Sequence, residues 1–121
     1  MNAVELQNIL IEFAYRIVPL FYSLPPKKIS KVFEDPLTRS AFSAAANYRA
    51  ACNGQSKRAF SAKLSISLEE MDESSFWLEI IEELKLHKKE KLSSIMAEAT
   101  ELTKILGASR RTSSQKLKIK N

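Results

Sequence analysis

Apolar residues recur at three- and four-residue steps along most of the chain, the spacing that gathers them on one face of an α-helix. Leu6, Ile9, Leu10, Phe13, Ile17, Leu20 and Phe21 predict a first helix from about Asn2 to Ser23. Pro19 lacks a backbone donor and crowds the preceding turn, so a kink or loosened last turn is expected there. Pro25 and Pro26 oblige this helix to end by Leu24. Lys27 to Glu34 reads as a connection in which Ile29, Val32 and Phe33 form one turn that tucks apolar side chains under the core. Asp35 as N-cap and Pro36 at the first helical position then predict a second helix running to about Cys52, with Gly54 supplying the left-handed residue that closes it.

The longest periodic stretch is Gln55 to Leu84, which contains neither Pro nor Gly. Ser56 is its N-cap. One apolar row runs through Phe60, Leu64, Leu68, Met71, Leu78 and Ile81, and a second through Ala62, Ile66, Phe76, Ile80 and Leu84. Two rows exceed what a single core stripe needs, so this helix is expected to have neighbours on two sides. It should end near Leu84 to Leu86, with His87 to Glu90 as a polar link. A fourth helix from about Lys88 to Ala108 follows from Leu92, Ile95, Met96, Ala99, Leu102, Ile105 and Leu106, with Gly107 loosening its end. Short links between four such helices imply an all-α, antiparallel up-down-up-down four-helix bundle over residues 1–108, with 109–121 as a basic flexible tail. The third helix, roughly 45 Å long at 1.5 Å per residue, should overhang the others. Its second row, together with Trp77, is then met by another subunit: Ile66, Phe76, Trp77 and Ile80 are the expected oligomer interface.

The second helix is built differently from the rest. Ala41, Ser43, Ala44, Ala45, Ala46, Ala50 and Ala51 give it a surface of very small side chains, which lets helix axes approach closely and places it deep between partners. Ser40, Ser43 and Asn47 form a polar stripe whose members need hydrogen bonds wherever they are buried.

Composition adds bounds to this picture. A chain of 121 residues suffices for one core, and its two glycines leave little material for a multi-stranded sheet. Cys52 is the only cysteine, so no internal disulfide can form and a cytoplasmic location is expected. The N-terminal segment has Glu5 and Glu12 among its apolar residues and no signal-peptide pattern. No apolar run approaches the roughly 20 residues of a membrane span.

Charge changes the picture more. The net charge of +5 hides strong segregation. Lys27 to Lys63 holds eight basic and two acidic residues, and Glu69 to Glu83 holds seven acidic and none basic. After Glu101 come six more cations and no acid. Arg39, Arg49, Lys57, Arg58, Lys63, Arg110 and Arg111 are the candidate phosphate-binding residues. Only Tyr48 lies among them as a base-stacking candidate, so binding should be sequence-tolerant.

Catalytic and metal chemistry lack the residues they require. His87 is the only histidine, which leaves no Ser-His-Asp arrangement and no histidine-based metal site; it reads as a solvated loop residue. Cys52 reads as a small buried hydrophobe. Glu69, Glu70, Asp72 and Glu73 lack the Glu-x-x-His pairs of bundle metal centres and read as a solvated or subunit-facing stripe. Neither enzymatic activity nor a cofactor is expected.

Several segments resemble the small bacterial four-helix bundle proteins first noticed as products of intervening sequences in large-subunit ribosomal RNA genes. The likeness rests on EFAYRIVPLF, RSAFSAAAN, NGQSKRAFSAKLSISLEEMDESSFWLEII and ELTKIL, and covers about Phe13 to Leu106. It implies the bundle already read from the periodicity, a ring-forming homo-oligomer, a pentamer, and no enzymatic activity. A related group with this fold, the accessory variability proteins of diversity-generating retroelements, presents a basic surface and binds nucleic acid together with a reverse transcriptase. The chain departs from the family pattern in reading FSAAAN where TSIGAN is usual, and Ala50 stands where Glu is common, so no role of that carboxylate is carried over. Two functions are therefore expected in competition: RNA or DNA binding through the basic surface, as accessory to an enzyme such as a reverse transcriptase, or a protein-binding scaffold that does not touch nucleic acid.

Overall fold

Helix ends in this protein are set by identifiable side chains, and their positions decide which residues share a surface. The structure, a computed structural model, describes residues 1–22 and 28–120, the last three as backbone only. Helix α1 spans Ala3–Tyr22. Asn2 caps it: its Oδ1 accepts the Glu5 N–H at 2.9 Å, and its side-chain amide donates to the Glu5 carboxylate at 3.0 Å. That pair satisfies an otherwise unpaired donor and sets an acid against the positive end of the helix. Pro19 is contained within α1. The helix stop assigned to Leu24, Pro25 and Pro26 lies outside the described residues.

Helix α2 spans Lys28–Cys52 and absorbs the expected connection from Lys28 to Glu34; Lys27 lies outside the described residues. Asp35 is therefore not an N-cap, and Pro36 lies inside the helix rather than at its first position. Burial overrides the local start signal. Ser30, Phe33 and Leu37 are all buried, and the Phe33 ring lies 5.9 Å from that of Trp77. Burying a Phe contributes about 1.5–3 kcal/mol, comparable to the ~3 kcal/mol a proline costs inside a helix. Of the three residues expected to tuck inward, only Phe33 does; Ile29 and Val32 face outward. Gly54 does not take a left-handed conformation, since no described glycine has positive φ. It is needed for close approach: a Cβ there would stand 3.1 Å from the Ala51 carbonyl oxygen.

Helix α3 spans Lys57–Glu83, with Ser56 Oγ accepting the Ala59 N–H at 3.0 Å as the sequence predicts. Its far end turns through Lys85, whose φ is 53°. The Lys85 N–H donates to the Glu82 carbonyl at 3.0 Å and the Leu86 N–H to the Ile81 carbonyl at 3.1 Å. This is a Schellman closure with Leu86 buried beneath it, and a lysine occupies the position usually given to glycine. Helix α4 spans Lys89–Lys120, so it neither stops at Ala108 nor breaks at Gly107. At 32 residues it, and not α3 with 27, is the longest helix. Its cations beyond Lys104 lie toward the negative end of the helix dipole, which favours continuation.

Each helix packs against the next, and α4 returns to α1. Tyr15 faces Phe42, Phe33 faces Trp77, and Ser67 faces Ala44, so partners pair in opposite directions along the chain as an antiparallel bundle requires. Arg16 ties α1 to α4 through an ion pair with Glu98 and a 3.1 Å bond to Ser94 Oγ. The core runs through Leu10, Phe13, Ile17, Leu37, Met71 and Leu102. Ala41, Ala44 and Ala45 are buried, as the small-residue surface predicts, with Ala45 on the side of α1 and Ala44 at the α2–α3 contact. There the Ser40 and Ser74 hydroxyls are 2.8 Å apart, and Ser67 donates to the Ala44 carbonyl at 2.7 Å. The Asn47 amide returns to Ser43, 2.9 Å from its carbonyl oxygen. The polar stripe is thus satisfied within the bundle. No described helix is long and apolar enough to cross a membrane.

Candidate nucleic-acid interface

The sharp turn between α2 and α3 carries the first group of candidate cations to one end of the bundle. Capping by Ser56 starts α3 immediately after this turn, so Lys57, Arg58 and Lys63 occupy its first two turns, all exposed. The continuation of α4 past Gly107 brings Arg110, Arg111 and Lys116 to the same end, also exposed. Arg110 Nε donates to Ser65 Oγ at 3.0 Å and holds the second half of α4 against α3. Lys57 and Lys116 line one open cleft, with a volume of about 770 Å³, between the α2–α3 turn and α4. Arg110 and Arg111 line a smaller hollow, of about 360 Å³, with Leu68 and Gly107.

The other two candidates are placed differently. Arg49 is exposed at the same end, but on the α1 side, beside Gln7 and Asn8. Arg39 lies roughly 15 Å further along α2 and belongs to the acidic stripe. One arm of its guanidinium meets both Glu73 oxygens at 2.8 Å, and the other meets the Glu70 oxygens at 3.3 and 3.1 Å. Hydrogen bonding to Glu73, then to Glu70, raises the Arg39 pKa further above its ordinary value. The same bond from Arg39, assisted by a weaker one from the Trp77 indole at 3.3 Å, holds the Glu73 carboxyl below the usual carboxylate range. Arg39 is thus separated from the basic end, and two of the acids have an internal partner.

Lys116 was not singled out by the sequence, because only a helix that continues past Gly107 sets it opposite Lys57. Tyr48 is withdrawn from any stacking role: it is 5% exposed. Burial first, and a hydrogen bond shared with Cys52 second, push its hydroxyl up to about 12. Cys52 is half-buried and lines the cleft rather than lying wholly inside the core. His87 is half-buried at the α3–α4 turn, the opposite end of the bundle from Cys52, so no Cys–His pair exists. Among the described residues no cluster of His, Cys, Asp or Glu is arranged to hold a metal ion.

The expected subunit interface lies on one face of α3. Ile66 and Phe76 are exposed, the latter by 51%, whereas Trp77 and Ile80 are half-buried. Trp77 is fastened within its own chain by Phe33, Phe76 and Glu73. The row through Leu64, Met71, Leu78 and Ile81 faces the core, so the two apolar rows do separate into inner and outer faces.

A sequence profile described as "23S rRNA-intervening sequence protein" matches residues 4–108. The fold is similar to the crystal structure of a protein of unknown function from the S23 ribosomal protein family of Bacteroides thetaiotaomicron VPI-5482, with a TM-score of 0.83 and 32% sequence identity. That similarity covers 92% of this chain and 99% of the other. No curated protein matches the sequence.

Proposed function

The chain belongs to the 23S rRNA-intervening sequence protein family, and from that premise we propose that it is a non-enzymatic bundle whose basic end binds RNA or DNA. The supporting observation is the convergence of Lys57, Arg58, Lys63, Arg110, Arg111 and Lys116, all exposed, at one end of the molecule. Cations on two helices match the spaced phosphates of a strand better than a single charged stripe does. With Tyr48 buried, contacts go to the backbone and binding is sequence-tolerant. Self-association through the outer face of α3, into a ring of five copies, multiplies this surface. In the cytoplasm such a ring serves as an accessory to a nucleic-acid enzyme such as a reverse transcriptase.

The test is a salt titration of polynucleotide binding followed by fluorescence anisotropy. Affinity should fall steeply between low and physiological salt. Reversing Lys57, Arg58 and Lys63 to Glu should weaken binding at least tenfold, with a log–log salt slope shallower by about three. Arg39→Ala should leave binding unchanged, because that guanidinium already faces Glu70 and Glu73. Absence of binding at low salt would sink this reading. It would leave the scaffold alternative, which the exposed Phe76 on the outer face of α3 favours.

A further inference from the structure

Helix α1 carries two apolar stripes, and the bundle uses one of them. Leu6, Leu10, Phe13, Ile17 and Leu20 face the core. On the flank beside α2, Val4, Asn8, Ile11, Tyr15, Val18 and Tyr22 follow one another at alternating steps of four and three, the heptad spacing of a coiled-coil seam with one polar residue in it. Val4, Tyr15 and Tyr22 are 66%, 55% and 85% exposed, and Ile11 and Val18 are half-buried. A continuous open seam along a whole helix differs from the scattered apolar residues of an ordinary surface.

Helix α2 presents a matching row beside it. Asp35, Phe42 and Arg49 stand seven positions apart and so share one face. The Phe42 ring meets Tyr15 edge-on at 6.0 Å, which sets the level of the two helices. Arg49 lies level with Asn8, at a hollow of about 610 Å³ that the small side chains of Ala45 and Ala46 leave open. Asp35 stands toward the other end, beside Tyr22, because α1 and α2 run antiparallel. Both charges are exposed, and neither is in an ion pair among the described residues.

Reversed, this face is complementary to itself. Two copies laid antiparallel about a twofold axis level with Phe13 set Tyr22 opposite Val4, Tyr15 opposite Ile11 and Val18 opposite Asn8, so each ring meets a smaller side chain. The hollow beside Asn8 then takes Val18 of the second copy, and Arg49 faces the end of the row that carries Asp35 of the second copy. The symmetry makes this contact twice. A parallel arrangement instead stacks each tyrosine on its own copy and brings like charges together. We propose that α1 pairs with α1 of a second copy of this chain in the antiparallel register. The pairing is independent of the nucleic-acid reading and of the outer face of α3, since α3 packs on α2 and α4 and not on α1. A seam of six residues belongs with the smallest interfaces, so a single pair forms with a dissociation constant on the order of 100 μM and adds little at micromolar concentration.

The experiment is sedimentation equilibrium of the full chain carrying Ile66→Glu and Phe76→Glu, which isolates the α1 face, from about 10 μM to about 1 mM. The mass should rise from one chain toward two, and Tyr15→Glu should raise the dissociation constant at least tenfold. Arg49→Asp alone should weaken pairing severalfold, and Arg49→Asp together with Asp35→Arg, which restores opposite signs, should recover it. A second measurement leaves the α3 face untouched. Glu12 is exposed beside the axis on the edge away from α2, whereas Glu5 lies near the end of the seam. With Cys52→Ser, a short bis-maleimide should therefore join Glu12→Cys chains into a covalent dimer and leave Glu5→Cys chains single. A mass that stays at one chain throughout, a rise unaffected by Tyr15→Glu, or Glu12→Cys chains that cross-link no better than Glu5→Cys chains overturns the proposal.

Discussion

Arg39 illustrates how a side-chain contact decides the meaning of a charge. In the sequence it is one cation of a basic run; in the fold it is shared between Glu70 and Glu73 of α3. Because the Glu73 pKa is lowered in the folded state, its contribution is complete above the usual carboxylate range and is lost as pH falls below that range through the lowered folded-state value. Urea denaturation measured between neutral and acid pH should show this decline, and Arg39→Ala should reduce it. Both side chains are partly exposed and screened by solvent, so the effect should stay below about 1 kcal/mol. Lys85 carries a different local cost, a side chain in the left-handed region at the end of α3. Lys85→Gly relieves it and should stabilise the protein by about 0.5–1 kcal/mol, read as a higher denaturation midpoint at unchanged slope. Neither residue could be interpreted from sequence, because the partner of one lies 31 and 34 positions away and the conformation of the other follows from the Leu86 closure.

At the scale of the element, caps were legible where the signal was local and unopposed. Ser56 begins α3 as its sequence predicts, since the bond from Ala59 N–H needs only three residues. Asp35–Pro36 is an equally good local signal, yet α2 starts earlier, because Phe33 and Leu37 share a buried face that only a continuous helix can present. Pro36 therefore interrupts the hydrogen bonding of a helix interior. Pro36→Ala restores one donor while making the unfolded chain more flexible, and the net expected gain is about 1–2 kcal/mol in chemical denaturation. A loss of stability would show that the ring of Pro36 contributes more by packing than its missing N–H costs. Glycine weakens a helix by about 1 kcal/mol, so Gly107 suggests a loosened end near Ala108, but α4 passes through it with Leu106 and Ser113, seven positions apart, both buried.

For the whole molecule, the separation of two apolar rows on α3 has a consequence for assembly. One row fills the core and the other leaves Ile66 and Phe76 exposed. Light scattering at micromolar concentration should give a mass several times that of the 13.7 kDa chain, and Phe76→Glu with Ile66→Glu should reduce it to the monomer. A monomeric mass for the unsubstituted protein would exclude the ring. The proposed salt-dependent binding belongs to the same scale, since it would depend on cations contributed by separate helices. The candidate site was legible in residue type and only partly in membership: Lys57, Arg58, Lys63, Arg110 and Arg111 gather at one end, Lys116 joins them, and Arg39 leaves.

Periodicity is a property of neighbouring residues, and it sufficed to specify four helices, their apolar faces and their antiparallel order, because short links permit little else. Helix length, the partner of each charge and the existence of a cleft depend on residues far apart in sequence. Whether α2 runs through Pro36 was decided by burial of Phe33, and whether Lys116 faces Lys57 by the path of α4 beyond Gly107. Local propensities of a few kcal/mol can be reversed by packing terms of the same size, and those terms exist only once the helices have met.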